Sequence, residues 1–159
     1  MLTIEIICVG KLNQSFLADG CAEYVKRLMP FTKILLTELP EEKLQSSNRG
    51  AELQVIDKES DRILARLAKT RAHCAALCVE GEQKSSEELA QYLEKVSMNF
   101  SHLTFVIGGS LGLSQKLKES ADIRLSMSKM TFPHQLARLM LLEQLYRAVT
   151  INENIKYHK

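Results

Sequence analysis

Residues 103–134 read LTFVIGGSLGLSQKLKESADIRLSMSKMTFPH, and the pattern of this stretch decides the fold. Leu103-Thr104-Phe105-Val106-Ile107 is a β-branched and aromatic run that halts at Gly108-Gly109-Ser110, with Gly112 close behind. Such a run marks a buried strand entering a tight turn, whose backbone a ligand can approach closely. A second run, Ile123 to Met127, breaks into Ser128-Lys129-Met130-Thr131-Phe132 before Pro133 opens the longest apolar segment of the chain. Proline suits the first turn of a helix, where its missing N–H has no intrahelical partner, and Thr131 is the expected cap. Two strand ends thus deliver two loops of exposed amides. In an open α/β sheet ligands bind beyond the carboxyl ends of the strands, so these loops are the expected site.

Working outward, the same strand–turn–helix rhythm recurs. Leu2 to Val9 is apolar apart from Thr3 and Glu5, as a strand covered on both faces should be. Phe16 to Leu28 places Leu17, Cys21, Tyr24, Val25 and Leu28 at helical spacing. Ile34 to Leu39 is a second strand, and the polar segment from Pro40 to Gly50 is expected to be a mobile loop. Glu52 to Ala68 forms an amphipathic helix whose charged side, Asp57-Lys58-Glu59 to Arg62 and Arg66, should face solvent. Cys74 to Val79 is a third strand ending at Glu80-Gly81-Glu82, and Ser85-Ser86-Glu87-Glu88 has the form of a capped helix start. Five strands alternating with helices predict an α/β fold with a doubly wound, mostly parallel sheet.

Composition narrows the function classes. A chain of 159 residues with 45% hydrophobic content is expected to fold as one domain, residues 1–159. A net charge of +2 is too small to mark a nucleic-acid binder, so any RNA footprint must come from local clustering. Without an apolar leader or a membrane-length run, a cytoplasmic protein with no membrane partner is expected. Cys8, Cys21, Cys74 and Cys78 sit among apolar neighbours and read as buried thiols rather than a disulfide framework. His73 and Cys74 point to opposite faces of a strand, and no second ligand pair follows at zinc spacing, so no metal is expected.

Two C-terminal features stand apart. In the last helix, Pro133 to about Ile151, the apolar face changes sides: Leu136, Leu139 and Met140 can face the sheet, leaving Leu142, Leu145 and Val149 to another cover. A second subunit would supply it, so a homodimer is expected. The tail, residues 152–159, closes on Lys156-Tyr157-His158-Lys159, a C-terminal arm suited to reaching phosphates and a base. The turn Gly108-Gly109-Ser110-Leu111-Gly112 is neither a dinucleotide fingerprint nor a P-loop, and Ser110 lacks the spacing of a nucleophile elbow.

Four motifs in order nevertheless carry a resemblance. They are Val106-Ile107-Gly108-Gly109-Ser110-Leu111-Gly112-Leu113, Leu125 through Gln135, Glu143-Gln144-Leu145-Tyr146-Arg147-Ala148, and the closing Tyr157-His158-Lys159. Together with Val9 to Leu12 and Glu23-Tyr24 to Arg27-Leu28, they make the whole chain resemble the RlmH family, pseudouridine-N3 methyltransferases of large-subunit ribosomal RNA within the SPOUT class.

The resemblance implies a C-terminal trefoil knot, a homodimer, S-adenosyl-L-methionine as cofactor, and 23S rRNA in assembled ribosomes as partner, at a pseudouridine of the helix 69 loop. It implies cofactor contacts at Leu77, Gly108, Met127, Ser128, Lys129, Met130, Thr131 and Phe132. Catalytic or RNA-facing groups would be His158, Tyr157, Arg138 and Arg147, joined by His134, with the tail serving the partner's pocket and His158 the favoured base. Glu153-Asn154-Ile155-Lys156 departs from the family, which is expected to carry Arg-Gly and a proline there; Asn154 can still take a left-handed turn. That departure leaves a non-catalytic RNA-binding dimer as the alternative.

Overall fold

A computed structural model describes residues 1–159. The elements follow in the order β1 (Thr3–Val9), α1 (Ser15–Leu28), β2 (Lys33–Leu39), α2 (Arg49–Leu67), β3 (His73–Gln83), α3 (Ser86–Asn99), β4 (His102–Ile107), α4 (Gln115–Ser120), β5 (Ile123–Ser126) and α5 (His134–Asn152). The five strands form one sheet in the order β2-β1-β4-β3-β5, every pairing parallel. The expected α/β architecture is therefore present, with no antiparallel strand.

Alternation along the strands sorts the core onto two faces. Ile4, Ile6, Cys8, Leu103 and Phe105 pack with α1, α3 and α5 on one face; Ile7, Val9, Cys74, Ala76 and Val106 pack with α2 and α4 on the other. His73 lies against Tyr92 and Phe100 on the first face, opposite Cys74 on the second. Glu5, which interrupts β1, is buried and takes the Arg66 guanidinium at 2.8 Å.

Several boundaries differ from expectation for local reasons. α2 starts earlier than its apolar periodicity, because Asn48 caps it by accepting the Ala51 N–H at 2.8 Å. Its charged side is not simply solvated. Glu59 is buried, Arg66 reaches into the core, and Arg62 donates to the Pro40 carbonyl at 3.0 Å. β3 does not end at Val79: its register on β5 shifts, so that Leu77 and Glu82 both pair with Leu125 and the residues between form a bulge. Gly81 permits this approach, since a Cβ there would sit 2.7 Å from the Arg124 and Leu125 backbone. α5 is capped at Pro133 with no side-chain hydrogen bond, so Thr131 is not its cap.

α5 also corrects the premise of the dimer argument. Leu142 and Leu145 are fully buried inside the chain, because α5 lies between α1 and α3 across the sheet. Gly20 of α1 admits Leu139 from one side. From the other side, Ser86 donates to Gln144 at 2.8 Å and Asn152 to the Ala90 carbonyl at 2.9 Å. Leu142 and Leu145 thus find their cover inside the subunit, whereas Val149 is half-buried and Leu136 and Met140, expected on the sheet, are half-buried and outside the core clusters.

Candidate active site

β3 and β4 are adjacent, but the connection after β3 crosses to the face of α3 and that after β4 to the face of α4. Loops leaving neighbouring strands for opposite faces open a crevice between them. Here they open a cavity of about 650 Å³, of the size that takes a small organic ligand. Its walls come from the bulged stretch of β3 (Leu77 to Glu80), the glycine turn (Ile107 to Leu113), and the loop from Met127 to the first turn of α5.

Of the expected cofactor contacts, Leu77, Gly108, Met127, Ser128, Met130, Thr131 and Phe132 line this one cavity, whereas Lys129 is exposed and lies outside its lining. The turn is held by the Gly112 N–H donating to the Gly109 carbonyl at 3.0 Å, with Gly112 at φ +89°, a conformation that favours glycine. The Ser110 and Leu111 amides stay free for a ligand. In the following loop Ser128 accepts the Met130 N–H at 3.0 Å, and Ser126 donates to the Ser128 carbonyl at 2.9 Å.

Two charged wall residues were not singled out from sequence. Lys118 of α4 donates to Glu80 at 2.5 Å, and that bond holds the Glu80 carboxyl below its ordinary range. Lys118 is placed by a helix too short to show periodicity, so only the fold reveals it. His134, at the start of α5, also lines the cavity. Burial lowers its pKa, opposed by Glu41 and reinforced by Arg138, so the imidazole is neutral at physiological pH. Burial raises the Cys78 thiol, so that wall residue is not a thiolate nucleophile.

The four remaining candidates separate into two places. Arg138 is 2% exposed, donating to Glu38 at 2.8 Å and to the Gly10 carbonyl at 3.1 Å, so it faces inward at the ends of β1 and β2, outside the cavity lining. Arg147, Tyr157 and His158 assemble elsewhere, about 13 Å further along α5 at 1.5 Å per residue. Arg147 meets His158 Nδ1 at 3.3 Å and Glu143 at 2.5 Å, and its guanidinium lies 4.8 Å from the centre of the Tyr157 ring. Tyr157 donates to Glu143 at 3.0 Å, and His158 Nε2 lies 2.7 Å from Glu87. Tyr24, burial and Glu143 together raise the Tyr157 pKa, which keeps it a phenol.

The tail folds back because Asn154 takes φ +55°. Its N–H then reaches the Ile151 carbonyl at 3.2 Å while that of Ile155 reaches Thr150 at 2.9 Å, the two bonds of a Schellman turn. No group of three or more His, Cys, Asp or Glu side chains is arranged to hold a metal ion.

A parallel sheet with a backbone-lined cavity at the carboxyl ends of three strands is an architecture that known methyltransferases share. Residues 2–158 match the family described as "Predicted SPOUT methyltransferase", and the chain belongs to that family. Within it, the chain groups with the proteins named ribosomal RNA large subunit methyltransferase H. It is 45% identical to that protein of Streptococcus uberis and 47% identical to that of Bacillus thuringiensis, in both cases over 99% of this chain and 100% of the relative. Among solved structures, a probable methylase family protein from Haemophilus influenzae Rd KW20 superposes with a TM-score of 0.57 at 16% identity. The match covers 100% of this chain and 72% of that one, and shows the shared fold.

Proposed function

We propose that this protein methylates N3 of a pseudouridine in the helix 69 loop of 23S rRNA in assembled ribosomes, in the cytoplasm, with S-adenosyl-L-methionine as methyl donor. The observation that carries the reading is the single cavity into which three separated motifs converge. Its lining suits an adenosine sulfonium: apolar Leu77, Ile107 and Leu125 for a flat base, free amides at Ser110 and Leu111, and one carboxylate, Glu80. The reading includes the C-terminal trefoil knot that the family resemblance implies.

The bound donor supplies an already activated methyl group, so the chain's task is alignment and proton removal. The glycine turn and the loop from Met127 to Phe132 would hold the donor, with Lys129 at the exposed rim. N3 must lose its proton as it bonds the methyl carbon, and an imidazole accepts a proton near neutral pH. His158 takes that role in this reading, delivered by the tail to the cavity of a partner subunit in a homodimer. Arg147 and Tyr157 orient it, and Arg138 ties the first turns of α5 to the ends of β1 and β2, while His134 offers a second imidazole at the cavity. Supporting this arrangement, Arg147 bonds His158 and stacks on Tyr157, Tyr157 bonds Glu143, and the three lie outside the lining of their own cavity.

The test is transfer of labelled methyl from S-adenosyl-L-methionine to ribosomes that lack the modification, followed by mapping of the labelled nucleotide. Label on one pseudouridine of the large-subunit RNA is the expected result. Donor binding without transfer to any ribosomal RNA would overturn it in favour of a non-catalytic RNA-binding dimer.

A further inference from the structure

We propose that Glu59, in the middle of α2 and outside the lining of the larger cavity, is the positioning residue that fixes the glycine turn for donor binding. The inference rests on reading the larger cavity as the methyl-donor site.

Glu59 is 3% exposed. One carboxyl oxygen accepts the Glu42 N–H at 2.9 Å, while the other, Oε1, is buried without a hydrogen-bond partner. A Cβ built on Gly109 would lie 2.8 Å from that oxygen. The carboxyl therefore packs directly against Gly109, and any larger residue there would have to displace that oxygen. The next residue, Ser60, accepts the Ser114 N–H at 2.9 Å. Two consecutive α2 side chains thus touch both ends of the segment from Gly109 to Ser114.

The same stretch of α2 anchors the loop after β2. Arg62 bonds the Pro40 carbonyl at 3.0 Å and the Glu42 carboxylate, and Lys58 lies 3.6 Å from Glu42. Between that loop, α2 and the turn is a second cavity of about 390 Å³, lined by Glu41, Glu42, Glu59, Ser110 and Leu111 among others. Ser110 and Leu111 also line the larger cavity. The tip of the turn thus has open space on both sides, and the Glu59 carboxyl is what supports its base. An apolar side chain would fill the position without leaving a buried polar oxygen unbonded, so stability alone does not account for a carboxyl here.

The experiment compares S-adenosyl-L-methionine affinity by calorimetry, and Tm, across the full-length wild type, Glu59→Gln, Glu59→Ala, Gly109→Ala and the Glu59→Ala/Gly109→Ala pair. Glu59→Ala is expected to weaken donor binding about tenfold or more, the scale on which small misplacements act. Its kcat at saturating donor should stay close to wild type, and Glu59→Gln, which keeps the shape, should bind nearly as wild type does. Gly109→Ala should weaken binding in the wild-type background and add little once Glu59 is alanine, because the clash is gone.

Glu59→Ala with lowered Tm and wild-type affinity would overturn the inference, as would an equal Gly109→Ala effect in both backgrounds. Wild-type protein that binds no donor would overturn the cavity's assignment and the inference together, whereas binding indifferent to Glu59 overturns the inference alone. Should Glu59→Ala fail to fold, Glu59→Asp, one methylene shorter, carries the same comparison.

Discussion

Glu59 makes the pH dependence of stability specific. Burial raises its carboxyl pKa, an effect offset by the Glu42 N–H and reinforced by Glu41. A folded-state pKa above the unfolded one means the native protein holds the proton more tightly. Stability linked to this group is then fully present below the ordinary carboxylate range and falls as pH rises through the raised value. Glutamine mimics the protonated form, so the Tm of Glu59→Gln relative to wild type should increase between about pH 4 and pH 8, a range that spans the ordinary carboxylate value. An equal difference at both ends of that range would show that the carboxyl does not titrate differently on folding. Sequence made Glu59 look like one member of a solvated charged run, because the run's composition is hydrophilic and nothing local reports a turn that begins 50 residues away, at Gly109. Gly108 was legible as a turn residue beside the cavity, but for an incomplete reason. A Cβ there would meet the Gly112 backbone at 2.8 Å and Leu113 at 3.0 Å, so the turn itself needs glycine, and Gly108→Val would unseat the turn as well as block a ligand.

Elements were legible where their signal is local. The start of α3 is the clearest case: Ser85 accepts the Glu88 N–H at 3.1 Å, and Glu88 accepts the Ser85 N–H at 2.7 Å, closing a capping box. Ser85→Ala should cost about 1 kcal/mol of unfolding free energy, read from urea denaturation midpoints with an unchanged slope. A loss too small to measure would mean that the first turn of α3 is held by its packing on α5 instead. Where the deciding contact is remote, the reading ran short. β3 outruns its apolar stretch because β5 offers it backbone partners beyond Leu77, and α5 reads as two-faced because periodicity records that a side is covered without recording by what. α4 has six residues, fewer than two turns, and is defined by the Ser114 cap rather than by an apolar stripe.

At the scale of the whole molecule, the cavity was legible because strand ends, glycines and motifs all coincide there, whereas the placing of the tail was not. His158 packs on Arg147 and Glu87, outside the lining of its own cavity, and the Schellman turn after α5 holds it there. If the tail serves a partner's cavity, lesions on different subunits should complement. A subunit carrying His158→Ala keeps its cavity, and a subunit carrying Gly108→Val keeps its tail. Neither variant alone should transfer methyl groups efficiently, and His158→Ala should bind donor as wild type does. After unfolding and refolding together, random pairing of a symmetric dimer places one cavity and one tail, both intact, at a shared site in half the dimers. About a quarter of wild-type activity should therefore return. The measurement is methyl transfer to unmodified ribosomes by the refolded mixture, against each variant refolded alone. Activity no greater than the sum of the two variants would place tail and cavity in the same subunit, and the bonds that now hold His158 against α5 would then have to break in every catalytic cycle.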